Sequence, residues 1–155
     1  MKFGKIILIS TILSIILVSC KSEQRPEIQV GADECYNCKM IITQIDQSCG
    51  FFRNDKFMAY CSPSCLIADY DYFRKGSIVP SSHIYFTDYG SKKLFQSDSI
   101  HFLFTKSVPT VMNSGVLTFR SEKDARSLIK QPDEFITRWE KFRIIAGQPD
   151  RVVDI

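Results

Sequence analysis

The chain has 155 residues, a formal net charge of +3 and 45% hydrophobic residues. That length suits one compact unit, or two small units sharing a core, and the apolar share is enough to bury one. The basic excess carries no Lys/Arg stripe interleaved with aromatics, so nothing in it points to nucleic acid, and the chain holds no phosphate loop, nucleophile elbow, zinc-protease helix or paired-carboxylate signature.

The first element is a targeting segment. Lys2 and Lys5 precede an apolar run from Ile6 to Val18, broken only by Ser10, Thr11 and Ser14. Such a run is short for a bilayer span and suits the hydrophobic region of a signal peptide. It ends at Leu17-Val18-Ser19-Cys20, the pattern of a bacterial lipobox. Residues 1–19 are therefore expected to be a lipoprotein signal peptide. Cys20 would become the lipidated N-terminus, holding the protein to the cell envelope on the periplasmic or exterior side. Acyl chains of the palmitate type contribute about 0.8 kcal/mol per buried CH₂. The polar stretch to about residue 33 reads as a tether, and residues 34–148 as one domain.

Further along, the β-branched run from Met40 to Ile45 predicts a strand. Gly50–Arg53 and Lys56–Tyr60 predict a hairpin around Asn54-Asp55. Ser62-Pro63 has the form of an N-cap followed by proline at the first helical position, and Leu66, Ile67, Tyr70 and Phe73 recur at helical spacing up to Gly76. Strands are expected over His83–Asp88, Leu94-Phe95, Ile100–Lys106 and Val116–Phe119. Ser121 caps a helix carrying Ala125, Leu128 and Ile129 that ends by Pro132. Asp133 is expected to cap a last helix with Phe135, Ile136, Trp139 and Phe142 on its apolar stripe, ending near Gly147. The fold class is α+β: two small β-β-α-type units packed together, with an extra C-terminal helix.

Six cysteines are present, and apart from Cys20 five remain: Cys35, Cys38, Cys49, Cys61 and Cys65. An odd number of thiols in an exported chain cannot all pair, and thiols kept in an oxidising compartment usually bind metal or do redox work. In Cys35-Tyr36-Asn37-Cys38-Lys39-Met40 the two cysteines can share one ion, and an extended Cys38–Met40 stretch would set Met40 on the same face. Thiolate with thioether is a soft ligand set that favours Cu(I). Cys61-Ser62-Pro63-Ser64-Cys65 places Cys65 in the first turn of a helix, where backbone N–H groups favour a thiolate. The two pairs together approximate a four-cysteine zinc spacing. A third reading makes Cys35 and Cys38 a thiol–disulfide pair. Met112 lies in a Pro109-to-Gly115 loop suited to presenting a side chain. His83 and His101 are the only histidines and are possible additional ligands. Cys49 has no partner by spacing and reads as a small buried residue.

The lipobox at Cys20, the run Cys35-x-x-Cys38-Lys39-Met40-Ile41, the Phe57-Met58-Ala59-Tyr60 strand, Cys65 at a helix start, Ile84 to Tyr89, the Pro109–Gly115 loop with Met112, and Leu117-Thr118-Phe119 before a helix together resemble the NosL family. These are copper-binding lipoproteins of nitrous oxide reductase maturation. Two positions depart from the family pattern: Val111 rather than proline precedes Met112, and Lys39 stands where glycine is common. The resemblance implies a non-enzymatic, monomeric Cu(I) chaperone of denitrification. It would face the periplasm, be attached to the membrane through Cys20, and deliver copper to an enzyme, with Cys35, Cys38, Met40 and Met112 as the metal set. The first half also resembles small heavy-metal modules with a Cys-x-x-Cys, a hairpin and a cysteine-bearing helix start, which suits zinc.

Overall fold

The computed structural model describes residues 25–74 and 79–146. The signal segment, Cys20 and the helix stops expected at Gly76 and Gly147 lie outside the described residues. Among the described residues no helix is long and apolar enough to cross a membrane.

Strands β1 (Cys49–Arg53) and β2 (Lys56–Tyr60) form the expected antiparallel hairpin. Asn54 and Asp55, both left-handed at φ 47° and 60°, make the two-residue turn whose twist matches that of the strands. On its other edge β1 pairs with β3 (Ile84–Thr87), and β3 pairs with β4 (Leu94–Gln96), giving the order β2-β1-β3-β4. The ring of Phe57 lies across Gly50: a Cβ there would stand 2.5 Å from both the Phe57 ring and the Met58 carbonyl oxygen.

Helix α1 (Pro63–Arg74) follows β2 directly and buries Leu66, Ile67 and Tyr70. A second antiparallel sheet, ordered β6-β5-β7, is built from β5 (His101–Phe104), β6 (Val116–Phe119) and β7 (Phe135–Thr137). Helices α2 (Glu122–Ser127) and α3 (Trp139–Ala146) complete the α+β fold. Ser121 caps α2 as expected, accepting the Asp124 N–H.

One core joins the two sheets. Phe86 of β3 meets Phe102 of β5 at 4.8 Å between ring centroids, Phe102 stacks on Phe142 of α3 at 4.2 Å, and Trp139 bridges Phe86 to Tyr70 of α1. Aromatic pairs at such spacings add stability beyond the area they bury. Polar contacts also cross the seam: Thr118 Oγ1 donates to the Thr87 carbonyl, and Arg120 N–H donates to Asp88. A smaller cluster, Leu103, Leu117, Phe119 and Ala125, lies beneath α2.

Three expectations require correction. The strand read over Met40–Ile45 is a single bridge, Glu34 to Ile41, followed by a 3-10 turn at Ile45–Gln47. The residues opposite it, 31–35, offer only enough backbone for a short hairpin arm, as in the bonds from Ile42 N–H to Asp33 O and from Cys35 N–H to Met40 O. The core begins at Ile28, inside the stretch read as tether. Finally, the last helix starts at Trp139, because Phe135-Ile136-Thr137 pairs with β5 as β7. Its β-branched and aromatic residues fit a half-buried sheet edge better than a first helical turn.

Candidate metal centre

Cys35 and Cys38 stand on a tight turn. Lys39 N–H donates to the Cys35 carbonyl at 2.9 Å, and Cys35 N–H donates to the Met40 carbonyl at 2.8 Å. This closure places Lys39 in the left-handed region at φ 63°, which favours glycine. The side chain of Lys39 folds back: Nζ donates to the Tyr36 carbonyl at 2.6 Å and lies 4.5 Å from the centroid of the Tyr36 ring. Tyr36 N–H donates to the Ala59 carbonyl, docking the turn on β2, and the Tyr36 ring sits edge-on to Tyr60. The turn is thus held beside the end of β2, where Cys61 follows Tyr60.

The second pair comes from the β2-to-α1 junction. Ser62, fully buried, caps α1 by accepting the Cys65 N–H on its Oγ at 3.2 Å, and its carbonyl accepts the Leu66 N–H. That cap fixes Cys65 in the first helical turn, facing Cys61. Sγ of Cys38 is 3.6 Å from Sγ of Cys61, and Sγ of Cys61 is 3.7 Å from Sγ of Cys65. All four sulfurs, of Cys35, Cys38, Cys61 and Cys65, lie within 4.8 Å of one another. These are free thiols. A tetrahedral ion with metal–sulfur bonds of about 2.3 Å has edges of about 3.8 Å, close to the separations here. Cys35, Cys61 and Cys65 are 0%, 4% and 6% exposed, and Cys38 is the partly open member of the group.

Electrostatics single out Cys35. The hydrogen bond from the Cys65 thiol, against the opposing effect of burial and with help from the Cys38 and Cys61 backbone N–H groups, holds the Cys35 thiol far below the ordinary thiol range. Burial, then the Cys35 charge, pushes the Cys61 thiol up. Cys65 is pushed up by the hydrogen bond it donates to Cys35 and by burial. A cation among the four sulfurs would displace the protons that its thiol ligands carry. Cys49, opposite Tyr60 in the β1–β2 register, is fully buried, and burial pushes its thiol well above the ordinary range.

The other candidates lie as follows. The Met40 carbonyl takes part in the turn hydrogen bond, while the residue as a whole is 44% exposed. Met112 is 56% exposed in a 3-10 turn, where Met112 and Asn113 are both left-handed. Gln47 ties that loop to the first unit by accepting the Val111 N–H at 2.6 Å, a contact without a signal in the sequence. His83 is exposed in a 3-10 turn before β3. His101 opens β5 beside Arg138 and Glu122. Neither histidine belongs to the cysteine group. Cys61 and Cys65, expected from the sequence either as additional ligands or as half of a four-cysteine zinc site, join Cys35 and Cys38 directly. The spacing of the two pairs, with a helix start at the second, is the signal for that.

No protein-family model matches the chain, and no curated protein matches it. Among solved structures, the chain is similar to the copper chaperone NosL from Shewanella denitrificans, with 20% sequence identity, a TM-score of 0.62, and coverage of 76% of this chain and 94% of that one. At this identity the likeness establishes the fold: a NosL-like α+β arrangement of two antiparallel sheets with a shared core.

Proposed function

We propose that the chain binds one thiophilic metal ion on Cys35, Cys38, Cys61 and Cys65 and serves the cell envelope as a non-enzymatic carrier of Cu(I). The convergence of four sulfurs from two separate elements is the observation that carries this reading. Thiolates select soft ions. Cargo that must be handed on needs an accessible ligand, and Cys38 lies at the open side of the group with the exposed Met40 two residues away. The exposed thioether of Met112, on a loop held to the first unit through Gln47, is part of the same proposal as a further sulfur for loading or transfer. The fold it shares with a copper chaperone agrees with this cargo. Attachment through a lipidated Cys20 on the periplasmic side, and delivery to a copper enzyme such as nitrous oxide reductase, belong to the same proposal.

A second reading is a resident structural zinc ion. It is favoured by the tetrahedral spacing of the sulfurs and the burial of three of the four. Anaerobic loading separates the two. A carrier takes up Cu(I) in preference to Zn(II), yields it to a competing thiol ligand and stays folded. A structural zinc site retains Zn(II) through purification and unfolds when a chelator removes it.

A further inference from the structure

The four sulfurs are unequally accessible, and the accessible one stands in contact with a sulfur of the other pair. Cys35, Cys61 and Cys65 are almost wholly buried, so an incoming disulfide meets only Cys38. Sγ of Cys61 waits 3.6 Å from Sγ of Cys38. The Cys35 sulfur belongs to the same group but is wholly buried, beneath the turn that carries Cys38.

We propose that the centre is a redox-gated one, in which a disulfide-bearing oxidant closes Cys38 onto Cys61 and thereby expels the metal ion. This rests on the metal-binding reading above. The Cys38 thiolate attacks one sulfur of the oxidant's disulfide, forming a mixed disulfide and releasing the oxidant's other sulfur as a thiolate. In the loaded protein the ion has displaced the Cys61 proton, and the Cys61 thiolate then attacks Cys38 Sγ, forming the Cys38–Cys61 bond and releasing the second thiolate. Two electrons pass from the protein to the oxidant, and no other reactant is required. Closure needs the two sulfurs to approach to about 2.05 Å. The cross-pair linkage matters because it takes one ligand from each pair. Closing Cys35 onto Cys38, or Cys61 onto Cys65, would leave the other pair intact as a chelate. Closing Cys38 onto Cys61 leaves only Cys35 and Cys65, one sulfur from each element, and the ion loses both chelating pairs.

The test uses the whole chain loaded anaerobically with Zn(II), a redox-silent stand-in, with its stoichiometry measured first. Oxidised glutathione is then added in steps while zinc release, free thiols and peptide linkages are followed. The expected result is one zinc ion released for every two thiols lost, a Cys38–Cys61 linkage, and recovery of binding after a dithiol reductant. Cys38→Ser slows the reaction at least as strongly as it weakens binding, whereas Cys49→Ala oxidises and releases zinc at the parent rate. A first linkage at Cys35–Cys38, Cys61–Cys65 or Cys49–Cys61, or disulfide formation with the ion retained, overturns the proposal while leaving metal binding intact. Protein that takes up no ion before oxidant is added contradicts the binding reading itself, and the gate falls with it.

Discussion

Ser62 Oγ accepts the Cys65 backbone N–H at 3.2 Å, so the cap that starts α1 also places a candidate metal ligand. Replacing Ser62 with alanine removes the cap and leaves a buried N–H without its partner. The expected loss is about 1 kcal/mol in the metal-free protein. Metal affinity falls as well, because Cys65 is no longer held in its turn. Ser62→Thr, which keeps the hydroxyl, retains most of both. Urea unfolding of the two variants, with and without metal, checks this; equal midpoints for Ser62→Ala and the parent would contradict it.

Lys39 carries a left-handed backbone in the turn between the first cysteine pair and Met40. For a residue with a Cβ that conformation costs about 1–2 kcal/mol, which glycine avoids. Lys39→Ala keeps the strain and loses the bond from Nζ to the Tyr36 carbonyl. Lys39→Gly loses the same bond but relieves the strain. The glycine variant is therefore expected to be the more stable of the two by about 1 kcal/mol, measured by denaturant midpoint under reducing conditions.

Glu134 pins β7 and the loop after β5. Its carboxylate accepts from Thr105 Oγ1 and from the backbone N–H groups of Lys106, Ser107, Lys130 and Gln131. The Thr105 hydroxyl, then the Lys130 N–H, hold its pKa well below the ordinary value of 4.5. A carboxylate stabilised in this way adds stability that is complete above its unfolded pKa and lost as pH falls through the lowered, folded one. Asp88 works in the same direction: burial opposes ionisation, but hydrogen bonds from Ser91 and Arg120 outweigh it. Stability is thus expected to decline as pH drops below about 4.5, from the ordinary carboxylate range downward. Glu134→Gln should flatten that decline while lowering stability at neutral pH. An unchanged acid limb in urea midpoints against pH would contradict the assignment.

The first unit was largely legible from residue types. Asn54-Asp55 and Ser62-Pro63 are local signals: each dictates its own backbone, so the hairpin and helix start follow without knowledge of the rest. The same holds for the cysteine pairs, whose spacing already approximated a four-thiolate site. What failed depended on partners remote in sequence. Phe135-Ile136-Thr137 has a helix-compatible apolar spacing, and only the free edge of β5 and the amides gathered by Glu134 turn it into a strand. The stretch from Met40 to Ile45 has strand composition but faces too short an arm to pair with. The placement of Met112 depends on Gln47, more than sixty residues away in the chain. No periodicity reports such a contact.

Four cysteine sulfurs sharing one ion would give the bound metal an all-sulfur coordination shell. X-ray absorption at the zinc edge, on anaerobically loaded protein, reads that shell. The expected result is one ion per chain with four sulfur neighbours at about 2.3 Å, and a lowered sulfur count when either Cys61 or Cys65 is replaced by serine. Nitrogen or oxygen neighbours in the parent protein, or a spectrum unmoved by both substitutions, would contradict it.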